Sequence, residues 1–301
     1  MRALGDAVSW AGMSGELLLS VDFEDWHQLV RRRVGASNWR EPGPALERQT
    51  ETMLALFDEL GARCTFFILG MAARAHPQLI ARMTESGHEI ACHGDAHLPV
   101  FTQSPDEFAA DVRSACATIE ELTGRRPIGY RAPAFSITRG TPWAHEVLAE
   151  QGFGYDASEH DSPILRDRQG AGERGARRLP NMRLWELPVA AARWRSVSLP
   201  LGGASYWALT PTPLILGGLR HVPPDGGLYL HPHELDPEPL RPLLNRGEGA
   251  KTRAKAWLRT VQRNAARRRS VDVLREIAAR HPLITYGEAH ARLSSDGSAG
   301  P

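Results

Sequence analysis

Two histidines separated by three residues, His93 and His97 in HGDAH, and an acidic run, Asp22-Phe23-Glu24-Asp25, are the groups in this chain most suited to chemistry. Imidazoles four positions apart lie about one helical turn from each other, so both can face one ion. A carboxylate arriving from another strand end would complete a three-ligand metal site with open positions for water and substrate. Carboxylates crowded at the end of an apolar strand are costly unless a cation or hydrogen-bond donors neutralise them. The chemistry offers them two jobs: one binds the ion, another takes a proton from water. Strand alternation puts Asp22 and Glu24 on one side and leaves Asp25 at the turn. The plain alternatives are a helix cap or a solvated loop for the acidic run, and structural histidines, as read for His76, His88 and His145.

The elements that must position these groups follow from local pattern. ELLLSVDF reads as a buried strand ending in acidic residues. Leu46, Met53, Leu54, Leu56, Phe57 and Leu60 recur at helical spacing, which predicts a helix from Ala45 to Leu60 with Gly61 as its C-cap. RCTFFILG is the next strand, HPQLIARMTESG the next helix, and HEIACH a strand that delivers His93 to its end. Ser104 with Glu107 forms a capping-box pattern that opens a long helix. PIGYRAP, FGYDAS, LWELPVA, GLYLHPHE and HPLITYGEAH add extended segments. Six or seven βα-like units predict an α/β barrel, in which chemistry collects at the C-terminal ends of strands. The acidic run, the histidine pair, Arg131 and His231 all fall at such ends.

Composition excludes several classes. A net charge of +1 on 301 residues suggests no polyanionic partner, so nucleic acid is not expected. Cys64, Cys92 and Cys116 are odd in number and lack CxxC spacing, which predicts free thiols in a reducing compartment. The N-terminus lacks a signal-peptide pattern and no window reaches transmembrane length, so a cytoplasmic location is expected. We read residues 1–293 as one catalytic domain with a long polar loop at about 160–180, and 294–301 as a disordered tail. Twelve basic against three acidic residues crowd Arg241 to Arg280, and Lys251, Lys255, Arg259 and Arg263 form a stripe in a basic helical segment at about 248–280. A solvated helix face is the plain reading, and a patch for a phosphate-bearing ligand is the other. Arg31-Arg32-Arg33 reads as a solvated loop.

Five stretches taken in order, SVDFEDWHQ, HEIACHGDAH, GYRAPAFSI, GYDAS and YLHPHELD, run from Ser20 to Asp236. In series they resemble the motifs of the polysaccharide deacetylase family (the NodB homology domain, carbohydrate esterase family four). More narrowly, they resemble the branch with a DxEDW first motif found in exopolysaccharide loci. The resemblance implies a distorted (β/α) barrel of about seven strands and metal-assisted removal of an N-acetyl group. The substrate class implied is an N-acetylhexosamine-containing glycan or glycan precursor. His93 and His97 match the family's metal histidines and Asp22 its catalytic base. Arg131 matches the arginine that pairs with that base and keeps it ionised, and His231 the late histidine that acts as general acid.

One departure matters. The common pattern has two adjacent aspartates, whereas Phe23 stands at the second position here. The metal carboxylate is then Glu24 or Asp25, and Glu24 is preferred because it shares a strand face with Asp22. Zinc is the expected ion, with cobalt, nickel, manganese and iron also suited to such a donor set. Trp26, Pro133, Tyr206 and Trp207 are candidate sugar contacts; His233 and Glu234 either orient His231 or line the rim. Three rival readings are a non-haem iron oxygenase, an amidohydrolase of a non-sugar amide, and an inactive carbohydrate-binding homologue. The joint presence of Asp22, Arg131 and His231 speaks against the last.

Overall fold

The computed structural model describes residues 15–160, 175–194, 197–223, 225–241, 243–264 and 269–296. The first half of the chain alternates strands and helices: β1 (Leu17–Phe23), α1 (Trp26–Val34), α2 (Leu46–Leu60), β2 (Thr65–Ile68), α3 (Gly70–Ala75), α4 (Pro77–Glu85), β3 (Glu89–Cys92), α5 (Pro105–Thr123), β4 (Gly129–Tyr130), α6 (Trp143–Glu150) and β5 (Tyr155–Asp156). Next come β6 (Arg177–Arg178), β7 (Trp185–Glu186), β8 (Ala192–Trp194), β9 (Val197–Leu199), α7 (Ala204–Trp207), α8 (Thr212–Leu219) and β10 (Gly226–Leu230). The chain ends with α9 (Pro232–Leu235), α10 (Ala250–Asn264), α11 (Arg269–Ala278), β11 (Leu283–Ile284) and α12 (Tyr286–Asp296).

In the main sheet β10, β1, β2, β3, β4, β5 and β7 lie side by side and all run parallel. The chain just past β7 then meets the opposite edge. Ala190 N–H donates to Gly227 O at 2.8 Å, and Gly227 N–H donates to Pro188 O at 3.2 Å. This seam closes the seven strands into the expected (β/α) barrel. Antiparallel β6 extends β7, β11 pairs with the start of β1, and β8 with β9 forms a separate hairpin.

Alternation along β1 sets the function of each face. Leu17, Leu19, Val21 and Phe23 pack in the large core under the helices. Leu18 joins Phe67, Ala91, Tyr155, Leu187 and Tyr286 in a second cluster, the barrel lumen. Ser20, Asp22 and Glu24 share the parity of Leu18, so the strand that reads as one apolar run sends its polar residues inward. Both faces are buried, which is why LLLSVDF shows no alternation of hydrophobicity.

Local signals held where capping chemistry is strong. α2 ends at Gly61 with φ 60, and Ser104 and Glu107 form the capping box of α5. Four expectations need correction. Arg31, Arg32 and Arg33 lie in α1 rather than a loop: Asp25 caps that helix and Gly35, φ 74, ends it. The interval between His93 and His97 is a loop, not a helical turn. The basic segment is divided between α10 and α11. Finally, α12 continues through residues expected to be tail, to Asp296, and residues 297–301 lie outside the described residues. Most of the expected long loop, 161–174, also lies outside them, while β6 occupies its end. Among the described residues, no helix is long and apolar enough to cross a membrane.

Candidate active site

At the C-terminal mouth of the barrel, Glu24, His93 and His97 bring one ligand atom each into a single cluster within 4.8 Å. Glu24 Oε2 lies 2.7 Å from His97 Nε2 and 3.9 Å from His93 Nε2. The His93 Nδ1–H donates to Arg131 O at 2.8 Å, which leaves its Nε2 lone pair facing Glu24. Glu24 Oε2 is buried and makes no hydrogen bond of good geometry. An orphaned carboxylate oxygen between two imidazole nitrogens fits a divalent cation. Burial alone would push the Glu24 carboxyl up, but His97 and His231 hold it well below the usual carboxylate range. Burial pushes the His93 imidazole down, towards the neutral form a metal ligand requires. Asp25, the alternative ligand, turns away. Its carboxylate accepts from His27 N–H at 2.8 Å and from Gly43 N–H, and so starts α1.

The loop carrying the two histidines is fixed from several sides. Gly94 takes φ 78, and a Cβ there would meet Asp111 Oδ2 at 2.7 Å, so only glycine fits. Asp111 on α5 accepts the Asp95 and Ala96 N–H groups at 2.8 and 3.3 Å. Gly70 and Met71, at the start of α3, donate to Gly94 O and Asp95 O. Arg32 donates from α1 to the carbonyls of Ala96 and His97, at 2.7 and 2.9 Å. His97 itself sits at φ 54, a conformation costly for a non-glycine residue and maintained by this frame.

Beside the cluster stand two groups suited to moving protons. Arg131, fully buried, donates to Asp22 Oδ1 at 2.7 Å and also to Ser20 Oγ, Ala157 O and Tyr286 Oη. Its guanidinium lies over the Phe67 ring at 4.0 Å. A buried cation needs this full set of acceptors, and the pairing holds Asp22 in one orientation. Opposite, the Nε2 of His231 lies 2.9 Å from Glu24 Oε1, and its Nδ1 lies 3.0 Å from Glu234 Oε2. Burial works against charge on this ring, yet Glu234 and Glu24 raise it to about 10. Glu234 is in turn supported by Ser205 Oγ–H and by Arg263, 3.7 Å away.

The expected residues are thus mostly brought together, with exceptions. Trp207 is fully buried with its indole N–H on Leu201 O, and Trp26 is 5% exposed against Val30 and Leu240. Neither offers a ring face for sugar stacking, because each fills a core. Pro133 is buried in a short turn after Arg131, and Tyr206 is half-buried near His160. Burial pushes the ring of His233 down to about 3, and it packs beside His231 and Trp26. Sequence reasoning missed Arg32, Asp111, Tyr286 and Arg263. Only Arg32 and Arg263 had any signal, as members of basic runs, and that signal pointed to solvent.

Comparison with known sequences adds the lineage. A family profile described as polysaccharide deacetylase matches residues 41–153, and one described as domain of unknown function (DUF3473) matches residues 162–278. The first of these segments thus carries the polysaccharide deacetylase pattern. The chain is similar to a peptidoglycan deacetylase-like protein of Gibberella zeae, 35% identical over 117 residues, 37% of this chain and 33% of that protein. A peptidoglycan deacetylase of Helicobacter pylori is 27% identical over 106 residues, 35% of each chain. The chain therefore spans about a third of the length of these curated relatives. A solved polysaccharide deacetylase candidate from Mycobacterium smegmatis overlays with a TM-score of 0.60 at 20% identity, covering 96% of this chain and 94% of that one. At that identity the likeness is one of fold. In this chain Asp22 and Glu24 precede the first matched segment and His231 falls in the second.

Proposed function

We propose that this chain is a member of the polysaccharide deacetylase family, a divalent-metal-dependent hydrolase that removes the N-acetyl group from an N-acetylhexosamine of a glycan or glycan precursor. The observation that carries the reading is the convergence of Glu24, His93 and His97 between the Asp22–Arg131 pair and the His231–Glu234 pair. When bound by those three residues, the ion, zinc by its donor set, supplies Lewis acidity towards water and an amide carbonyl. Asp22, held by Arg131, takes the proton of the attacking water. His231, charged beside Glu234, gives its proton to the amine nitrogen as the carbon–nitrogen bond breaks. Acetate and a free amino sugar leave.

The names of relatives that act on peptidoglycan and, in a Bradyrhizobium protein 30% identical over 119 residues, on chitooligosaccharide support an N-acetylated sugar. We take residues 1–293 as one catalytic domain, supported by the seam that joins β7 to β10. Three free, buried cysteines support a reducing, cytoplasmic setting and hence a precursor substrate. Acetate release from nucleotide-linked, lipid-linked and oligomeric N-acetylhexosamines tests the reading. His97→Ala is expected to lose bound metal and acetate release together. A metal-free His97→Ala variant with full activity overturns it.

A further inference from the structure

A second group of metal-ligating side chains lies in the barrel wall, apart from the mouth. His145 on α6, Asp156 at the end of β5 and Glu186 at the end of β7 place one ligand atom each within 4.8 Å of the others. His145 Nε2 is 3.2 Å from Asp156 Oδ2 and 4.0 Å from Glu186 Oε2. Ligand atoms on one tetrahedral zinc lie about 3.3 Å apart, so small side-chain adjustments close the set. Both carboxylates are anchored through their other oxygen: Asp156 Oδ1 accepts from Ser158 Oγ, and Glu186 Oε1 accepts from Glu159 N–H at 3.0 Å. Such anchoring fixes the direction of a ligand atom. The atom left over, Glu186 Oε2, is fully buried and has no hydrogen-bond partner. Without a cation, burial beside Asp156 and Glu159 pushes the Glu186 carboxyl well up, which marks the cost of two buried carboxylates side by side.

We propose that His145, Asp156 and Glu186 bind a second divalent ion, zinc, which staples helix α6 to strands β5 and β7. Asp156 and Glu186 pair in the sheet, and His145 is the partly exposed member, so an ion can enter from the helix side. The ion balances the two carboxylates and occupies the direction in which Glu186 Oε2 has nothing to meet. This site stands independently of the proposed deacetylase reading, because it shares no residue with the cluster at the mouth.

The test is zinc content per chain by mass spectrometry after equilibration with zinc chloride and removal of free metal. Glu186→Gln is expected to hold one equivalent fewer than the wild-type chain, and His97→Ala one fewer by loss of the other site. The double variant is expected to lose both. Should Glu186→Gln fail to fold, His145→Ala, at a partly exposed position, takes its place. Cobalt substitution supplies a second readout: visible absorption of the His97→Ala protein should vanish in the His97→Ala, His145→Ala pair. Unchanged zinc content in both Glu186→Gln and His145→Ala overturns the proposal. Loss at Glu186 with no loss at His97 upholds it while refuting the first site.

Discussion

Exchanging Glu24 and Asp25 for their amides, one at a time, separates a ligand from a helix cap. Glu24 faces His97 and His93, whereas Asp25 accepts the His27 and Gly43 N–H groups. Zinc binding by a protein site is worth about 10–16 kcal/mol, or about 3–5 kcal/mol for each of three side-chain ligands. A glutamine oxygen is neutral and a weaker donor, so Glu24→Gln should weaken zinc by about 10²–10³-fold at 1.4 kcal/mol per decade. Asp25→Asn keeps an oxygen for the His27 N–H but turns an amide NH2 towards the Gly43 N–H, which loses its acceptor at a cost of about 1–3 kcal/mol in stability. Its metal affinity should stay within about tenfold of wild type, the lower end of outer-shell effects. A zinc titration against a chromophoric chelator reads the first quantity and urea unfolding the second. An Asp25→Asn chain that drops its zinc while Glu24→Gln retains it refutes the assignment of Glu24.

Asp22→Asn should keep its metal and lose kcat by about 10³–10⁴-fold, because only the proton acceptor is removed; metal content and acetate release measured on one preparation check this. Glu234→Gln should keep metal and KM but lower kcat by about 10–100-fold, since the His231 ring loses its charged partner; a change confined to KM would contradict the positioning role. Stability should also report His88, whose imidazole burial lowers to about 4 from 6.5. The unfolded chain then binds more protons between those values, so stability is complete above pH 6.5 and falls as pH drops through about 4. Urea midpoints at pH 7.5 and 5 should differ less in His88→Gln than in wild type.

Much of the candidate site was legible because the side chains suited to metal chemistry stand at strand ends. His93 at the end of β3, the parity of Asp22 with Glu24, and His231 after β10 all follow from local pattern plus alternation. The barrel was legible for the same reason: strands buried on both faces, such as β1, read as apolar runs between capped helices. What stayed hidden depends on long-range contact. Arg32 meets the His97 loop from α1, 65 residues earlier in the chain, and Arg263 reaches Ser205 from a helix 58 residues further on. A basic run looks the same in sequence whether its members end in water or on a carbonyl. The aromatic residues failed for the opposite reason. Trp26 and Trp207 were offered to a sugar, but large apolar rings gain more from filling a core.

The seam between Pro188–Ala190 and Gly227 bears on whether this chain can be divided. The two profile matches meet near residues 153–162, which invites a cut there. Such a cut would separate β1 from both β10 and β11 and leave one edge of β1 without its parallel partners. An edge of that kind seeks another chain and aggregates. It would also leave Glu24, His93 and His97 on one fragment and His231 on the other. Truncation libraries and domain fusions should therefore treat the matched segments as halves of a single closed wall, with new termini placed outside it.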